Sequence, residues 1–183
     1  MAAITDLQRL PLNLPDFIAL RECGMIYVDK TRQIASLAMM RRQYVFVRPR
    51  RFGKSLLIST FEALFSEGLK HFEGLAIQDV WREERCYNVV RLDFSTIRHF
   101  DSFESFTFQF ERLLDNAFGK YGFNPQHGED RLIHLEVDRW FKTQPRQSLV
   151  LLIDEYDAPL TAVIDREERR VGKECRSRWS PYH

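Results

Sequence analysis

The sequence predicts an α/β chain built on a mainly parallel sheet, and three features carry that expectation. A short β-branched and aromatic run, Tyr44 to Val47, stops at a basic, Pro-containing loop, and an amphipathic segment from Leu56 to Phe65 follows. Much later, Ser148-Leu-Val-Leu-Leu-Ile-Asp-Glu-Tyr-Asp157 is a continuous apolar run that ends in acids. Apolar runs without alternation suit a parallel strand covered on both faces. Between them, Tyr87-Asn-Val-Val-Arg-Leu-Asp-Phe-Ser95 reads as a further strand.

The first feature carries the chemistry. Tyr44-Val-Phe-Val-Arg-Pro-Arg-Arg-Phe-Gly-Lys-Ser55 has the order strand, loop, helix that a phosphate-binding loop requires. Backbone N–H groups at a helix N-terminus are unpaired and carry partial positive charge, so they favour an anion. Gly53 lets the backbone approach a phosphate with no Cβ in the way. Lys54 can reach the β- and γ-phosphates, and the Ser55 hydroxyl can ligate Mg²⁺. The general pattern places its first glycine at position 48, where this chain has Arg48.

The acidic run supplies the second half. In open α/β sheets ligands sit beyond the carboxyl ends of strands, where Asp154 and Glu155 fall. Asp154 there can hold Mg²⁺ through its water shell. Glu155, pointing the other way, can orient or deprotonate an attacking water. The same residues also read as solvated acids that cap a strand and lead into a helix.

Composition narrows the class. With 183 residues the chain is one domain's worth, able to bury roughly 70% of its unfolded surface. Lys+Arg number 27 against 26 Asp+Glu, so bulk charge argues for neither nucleic acid nor membrane. Basic residues do gather at Arg41, Arg42, Arg48, Arg50 and Arg51, and a polyphosphate is their simplest partner. Cys23, Cys86 and Cys175 are odd in number and lack metal-ligand spacing, which points to reduced thiols in a cytoplasmic protein. No apolar signal region opens the chain and no run reaches the length of a membrane span.

The remaining elements follow in order. Residues 1 to 16 read as irregular, and Phe17 to Arg21 as one helical turn. Asp29 or Thr31 caps a helix running to about Arg42; the alternative brings Lys30 or Tyr27 against the nucleotide pocket. A helix spans Lys54 to Phe65 and stops at Gly68, and Phe72 to Ile77 is a compact connector. Asp93 either caps the end of its strand or touches the site through water. Phe103, Phe106, Phe110, Leu113, Leu114 and Ala117 share one helix face and form a core stripe. A loop through Gly128 precedes a helix from Asp130 to Lys142, with His127 and His134 as surface residues. Beyond Asp165 the pattern collapses, and residues 166–183 read as a non-native tail on an N-terminal fragment.

Five segments occur here in one order: Tyr27-Val-Asp-Lys-Thr31, Arg48-Pro-Arg-Arg-Phe-Gly-Lys-Ser-Leu56, Phe72-Glu-Gly-Leu-Ala-Ile77, Leu92-Asp-Phe-Ser95 and Leu152-Ile-Asp-Glu-Tyr-Asp-Ala-Pro-Leu160. Together, over roughly residues 10 to 165, they resemble the AAA-ATPase-like family of bacterial proteins, whose loop also has arginine at the position of Arg48. The resemblance implies a three-layer P-loop NTPase fold, incomplete because its C-terminal strands are missing. It divides the chain into an N-terminal extension (1–43), a partial ATPase domain (44–165) and the tail (166–183).

By the same resemblance, Arg50, Arg51, Phe52, Gly53, Lys54, Ser55 and Leu56 bind ATP. Ser55 and Asp154 serve Mg²⁺, and Glu155 is catalytic. The complete protein then hydrolyses ATP, while a fragment lacking later strands and an arginine finger is unstable and not a competent ATPase. Longer relatives often carry a restriction-endonuclease-like nuclease domain, a route to nucleic acid. The rival reading is a non-hydrolysing nucleotide-sensing or nucleic-acid-binding module that uses the arginine cluster on a phosphate backbone.

Overall fold

The computed structural model describes residues 10, 11, 14–47, 49, 51–125 and 132–164. The chain is a mixed helix and strand protein that divides into two compact units. One is formed by residues 1–90 with 145–152, the other by residues 91–144 with 153–183. The 166–183 segment, Arg48, Arg50, His127 and Cys175 lie outside the described residues.

In the first unit, α1 (Phe17–Glu22) starts where the Asp16 side chain accepts the Ala19 N–H, as an N-cap should. Its Phe17 N–H donates to Ser59 Oγ at 2.9 Å, which ties α1 to α3 (Lys54–Glu67). α2 (Thr31–Met39) stops short of the expected Arg42. Arg41 has a left-handed backbone (φ 47°) that cannot continue a helix. α3 ends at Gly68, whose φ of 63° only glycine adopts freely, and the Gly68 N–H closes on Leu64 O. Apolar faces of these helices meet in a core of Phe17, Ile34, Phe61, Leu64, Ile77 and Trp81, with Phe72 fully buried against Phe17 at 4.7 Å between ring centroids.

The expected first strand, Tyr44 to Val47, is not one: none of these residues belongs to a ladder. The segment keeps the in-and-out alternation of extended chain. Phe46 packs on the core, 6.3 Å from the Phe61 ring, while Val45 and Val47 are 77% and 84% exposed. β-Branched residues favour extended backbone, but a strand exists only when a neighbour accepts its hydrogen bonds. Among the described residues none does so here.

The sheet is a parallel pair, β1 (Asn88–Asp93) beside β2 (Leu149–Asp154), two strands where three were expected. Asn88 N–H donates to Ser148 O at 2.8 Å, so both strands start at the same end of the pair. In β2 the continuous apolar run is covered unevenly, with Leu151 and Ile153 exposed.

In the second unit, Asp93 caps the short 3₁₀ turn Phe94–Thr96 through the Ser95 N–H. α4 (Phe103–Gly119) opens on a reciprocal Ser102–Ser105 capping box. The expected core stripe holds only toward its C-terminal end: Leu114 and Ala117 are buried, Phe106 and Phe110 stack half-buried, and Phe103 is exposed. Phe103 lies in the first turn, beyond the reach of the unit's core. That core is aromatic, with Phe118 against Trp140 at 5.0 Å and against Phe123 at 5.8 Å. The indole N–H of Trp140 donates to Tyr121 O. α5 spans Ile133–Thr143 and carries an exposed His134, while Asp130, its expected start, lies outside the described residues. Residues 158–164 form a last helical stretch.

Candidate functional site

The loop and α3 place six of the expected nucleotide-binding residues together in the first unit. Arg51, Phe52 and Gly53 are exposed, and Lys54, Ser55 and Leu56 are the half-buried first turn of α3. Arg51 (φ 66°) and Gly53 (φ 71°) both take left-handed backbone. Turns of this kind point successive N–H groups to one side and make anion-binding concavities. Gly53 is the N-cap, and no side chain caps the helix. The first N–H groups of α3 therefore stay open to a ligand. A Cβ built on Gly53 meets nothing within 4 Å, so the glycine is required by backbone conformation and not by crowding from the protein itself.

Of the arginine cluster, Arg41 pairs with Glu83 at 3.0 Å and also donates to the Gln147 side chain, while Arg48 and Arg50 lie outside the described residues.

In the Tyr27 to Thr31 segment Asp29 and Thr31 both accept backbone N–H bonds, as a cap would, and they also reach a distant turn. The N-cap of α2 is Lys30, which makes no side-chain cap bond. Instead Asp29 Oδ1 accepts from the Thr31 N–H and hydroxyl, while its Oδ2 accepts from the Ala76 N–H at 2.8 Å. Thr31 Oγ1 in turn accepts from the Ile77 N–H. Two of the five sequence motifs are thus clipped to each other. Tyr27 sits edge-on to Phe17 at 5.2 Å, and burial pushes its hydroxyl pKa up despite the Thr60 side chain beside it. Asp29 belongs to a tertiary clip and Tyr27 to the core. Lys30 is exposed.

In the second unit, Asp154 ends β2 only 4% exposed. Its Oδ2 lies 3.5 Å from Arg91 Nη2 on β1, and its Oδ1 accepts the Glu155 N–H at 3.1 Å. Glu155 is half-buried with a left-handed backbone (φ 48°), a conformation costly for a residue with a Cβ. Arg91 was missed from sequence although a signal was there. A charged residue within the apolar Val89-Val-Arg-Leu92 strand needs an acid to meet it. Asp93 is a turn cap. Among the described residues no cluster of three or more His, Cys, Asp or Glu is arranged to hold a metal, and no helix is long and apolar enough to cross a membrane.

A family model described as Predicted AAA-ATPase matches residues 11–180, nearly the whole chain. The chain belongs to the AAA-ATPase-like family. The match runs past residue 165 into the segment read from sequence as a tail. A protein of Azotobacter chroococcum mcd 1, known as an uncharacterized protein in the vnfD 5′ region, is 31% identical over 172 residues. The alignment covers 92% of this chain and 32% of that protein, so the chain spans about a third of the length of its relative. No solved structure matches. The start of α3 presents Gly53, Lys54 and Ser55 at a helix N-terminus that no side chain caps. Both oxygens of Asp154, by contrast, already have partners within the protein.

Proposed function

We propose that this chain binds ATP through the start of α3, and that the complete protein hydrolyses ATP with Mg²⁺. The supporting observation is the uncapped N-terminus of α3 behind a left-handed Gly53, with Lys54 and Ser55 as its first residues. Arg50, Arg51, Phe52 and Leu56 belong to the same loop and helix start in sequence and complete the proposed binding segment. Lys54 neutralises phosphate charge, Ser55 and Asp154 serve the Mg²⁺ shell, and Glu155 orients and accepts a proton from the attacking water. Bound Mg²⁺ would supply neutralisation of the phosphate charge. Stabilising the charge that develops in the transition state needs a further cation, usually an arginine from elsewhere.

A cytoplasmic location suits the free, exposed thiols of Cys23 and Cys86. A nucleic-acid partner would be reached through a nuclease-like domain outside this chain. Direct nucleic-acid binding by the arginine cluster, the rival reading, would require Arg41 to exchange its exposed Glu83 partner for a phosphate.

Calorimetric titration with ATP tests the proposal. Lys54→Ala should remove charge-assisted contacts worth ~1.5–3 kcal/mol, roughly 10- to 150-fold in affinity. Glu155→Gln in the complete protein should keep ATP binding and stop phosphate release. Equal ATP affinity with and without Lys54 would refute the assignment.

A further inference from the structure

Asp154 ends β2 almost wholly buried, and a buried carboxylate is tolerated only where a counter-charge and hydrogen bonds meet it. Both are present. The Glu155 N–H reaches Oδ1 at 3.1 Å, and Arg91 Nη2 stands 3.5 Å from Oδ2. Arg91 comes from the adjacent strand and is itself mostly buried, with 28% of its side chain exposed. A second cation can compete with it for the same carboxylate.

We propose that Arg91 is a positioning residue that occupies the Asp154 carboxylate in the nucleotide-free chain and competes with Mg²⁺ for it. The inference rests on the ATP and Mg²⁺ reading given above, and it adds a residue and a direction to that reading. Without Arg91 the carboxylate would be left buried and uncompensated. With Arg91 it is paired and aligned, but Mg²⁺ must draw it away from the guanidinium. Arg91 thus raises the Mg²⁺ concentration the site needs and keeps the carboxylate poised when the metal is absent. Such competition is a coupling between two cations at one anion, and couplings of this kind are typically 5- to 150-fold.

The experiment measures ATP affinity by calorimetry in EDTA and across a MgCl₂ series, and reads the Mg²⁺ concentration at which affinity is half-enhanced. Arg91→Met keeps the aliphatic stem and removes the charge; its midpoint should fall on the order of tenfold. Arg91→Lys should stay near wild type. In an Asp154→Asn background, Arg91→Met should leave the midpoint unmoved, because the shared partner is gone. A purely structural Arg91 would lower thermal stability in both backgrounds and leave the midpoint unchanged, which overturns the proposal.

If Arg91→Met does not fold, the wild-type chain still decides. The Arg91 side-chain Nε–H resonance should move when Mg²⁺ is added to the ATP complex, and a resonance that stays put overturns the competition. Lys54-dependent ATP binding with an unchanged Mg²⁺ midpoint removes the role of Arg91 alone. Absence of Lys54-dependent ATP binding removes the ATP reading and this inference together.

Discussion

Asp29 accepts from the Thr31 N–H, the Thr31 hydroxyl and the Ala76 N–H, and so fastens the start of α2 to the turn that carries Ile77. Partial burial pushes its pKa up. The bonds from Ala76 and Thr31 outweigh that and hold the carboxyl below its ordinary value of 3.8. A carboxyl with a depressed folded pKa adds stability that is full above its unfolded value and fades as pH falls through the folded one. Asp29→Asn keeps one acceptor and loses the charge, so it should cost about 1 kcal/mol at neutral pH. The gap from wild type should shrink below pH 3.8, read as urea midpoints at both ends of the range. A gap independent of pH would mean that the charge of Asp29 contributes nothing to the clip. Thr31, fully buried, is the other half of this device. Its hydroxyl both donates to Asp29 and accepts from Ile77, a dual role that only Ser or Thr could fill at that size.

At the scale of the element, α3 is bounded by two glycines whose tasks differ. Gly68 ends the helix with left-handed backbone, a structural stop. Gly53 opens it, also left-handed, but with no protein atom near the place a Cβ would occupy. Gly53→Ala should therefore destabilise the chain by about 1 kcal/mol through backbone conformation alone, without disturbing the core. Urea denaturation with near-UV circular dichroism checks both parts. A loss of several kcal/mol, or a changed aromatic signal, would mean the loop is packed more tightly than the open space around Gly53 implies. The same added methyl lies on the surface proposed to meet phosphate, so ATP affinity should fall by more than stability does.

At the scale of the molecule, some of the exposed apolar side chains lie on extended segments. Val45 and Val47 stand on extended chain that has no ladder, and Leu151 and Ile153 lie on β2. An extended, apolar, unpaired segment is a template for edge-to-edge association. Val45→Lys with Val47→Lys should lower concentration-dependent aggregation, measured by light scattering, while the melting temperature holds within the scatter expected of surface changes. A large drop in melting temperature would place these valines inside a packed interface. Phe46, between them, is excluded from the swap because it packs against the core.

The sequence by itself determined what is local. The body of α3 and its stop at Gly68, the strands at Asn88–Asp93 and Leu149–Asp154, and the loop that ends in Gly53-Lys54-Ser55 could all be read from periodicity, glycine placement and apolar runs. These signals act within a few residues, where backbone sterics and side-chain spacing decide the outcome. Only the tertiary structure decided the rest. Tyr44 to Val47 has the composition of a strand, yet strand formation depends on whether a partner arrives from elsewhere in the chain. Asp29 finds Ala76 across 47 positions, and Arg91 finds Asp154 across the sheet. A hydrogen bond or ion pair of that kind depends on how the chain returns on itself, and no local pattern encodes the return.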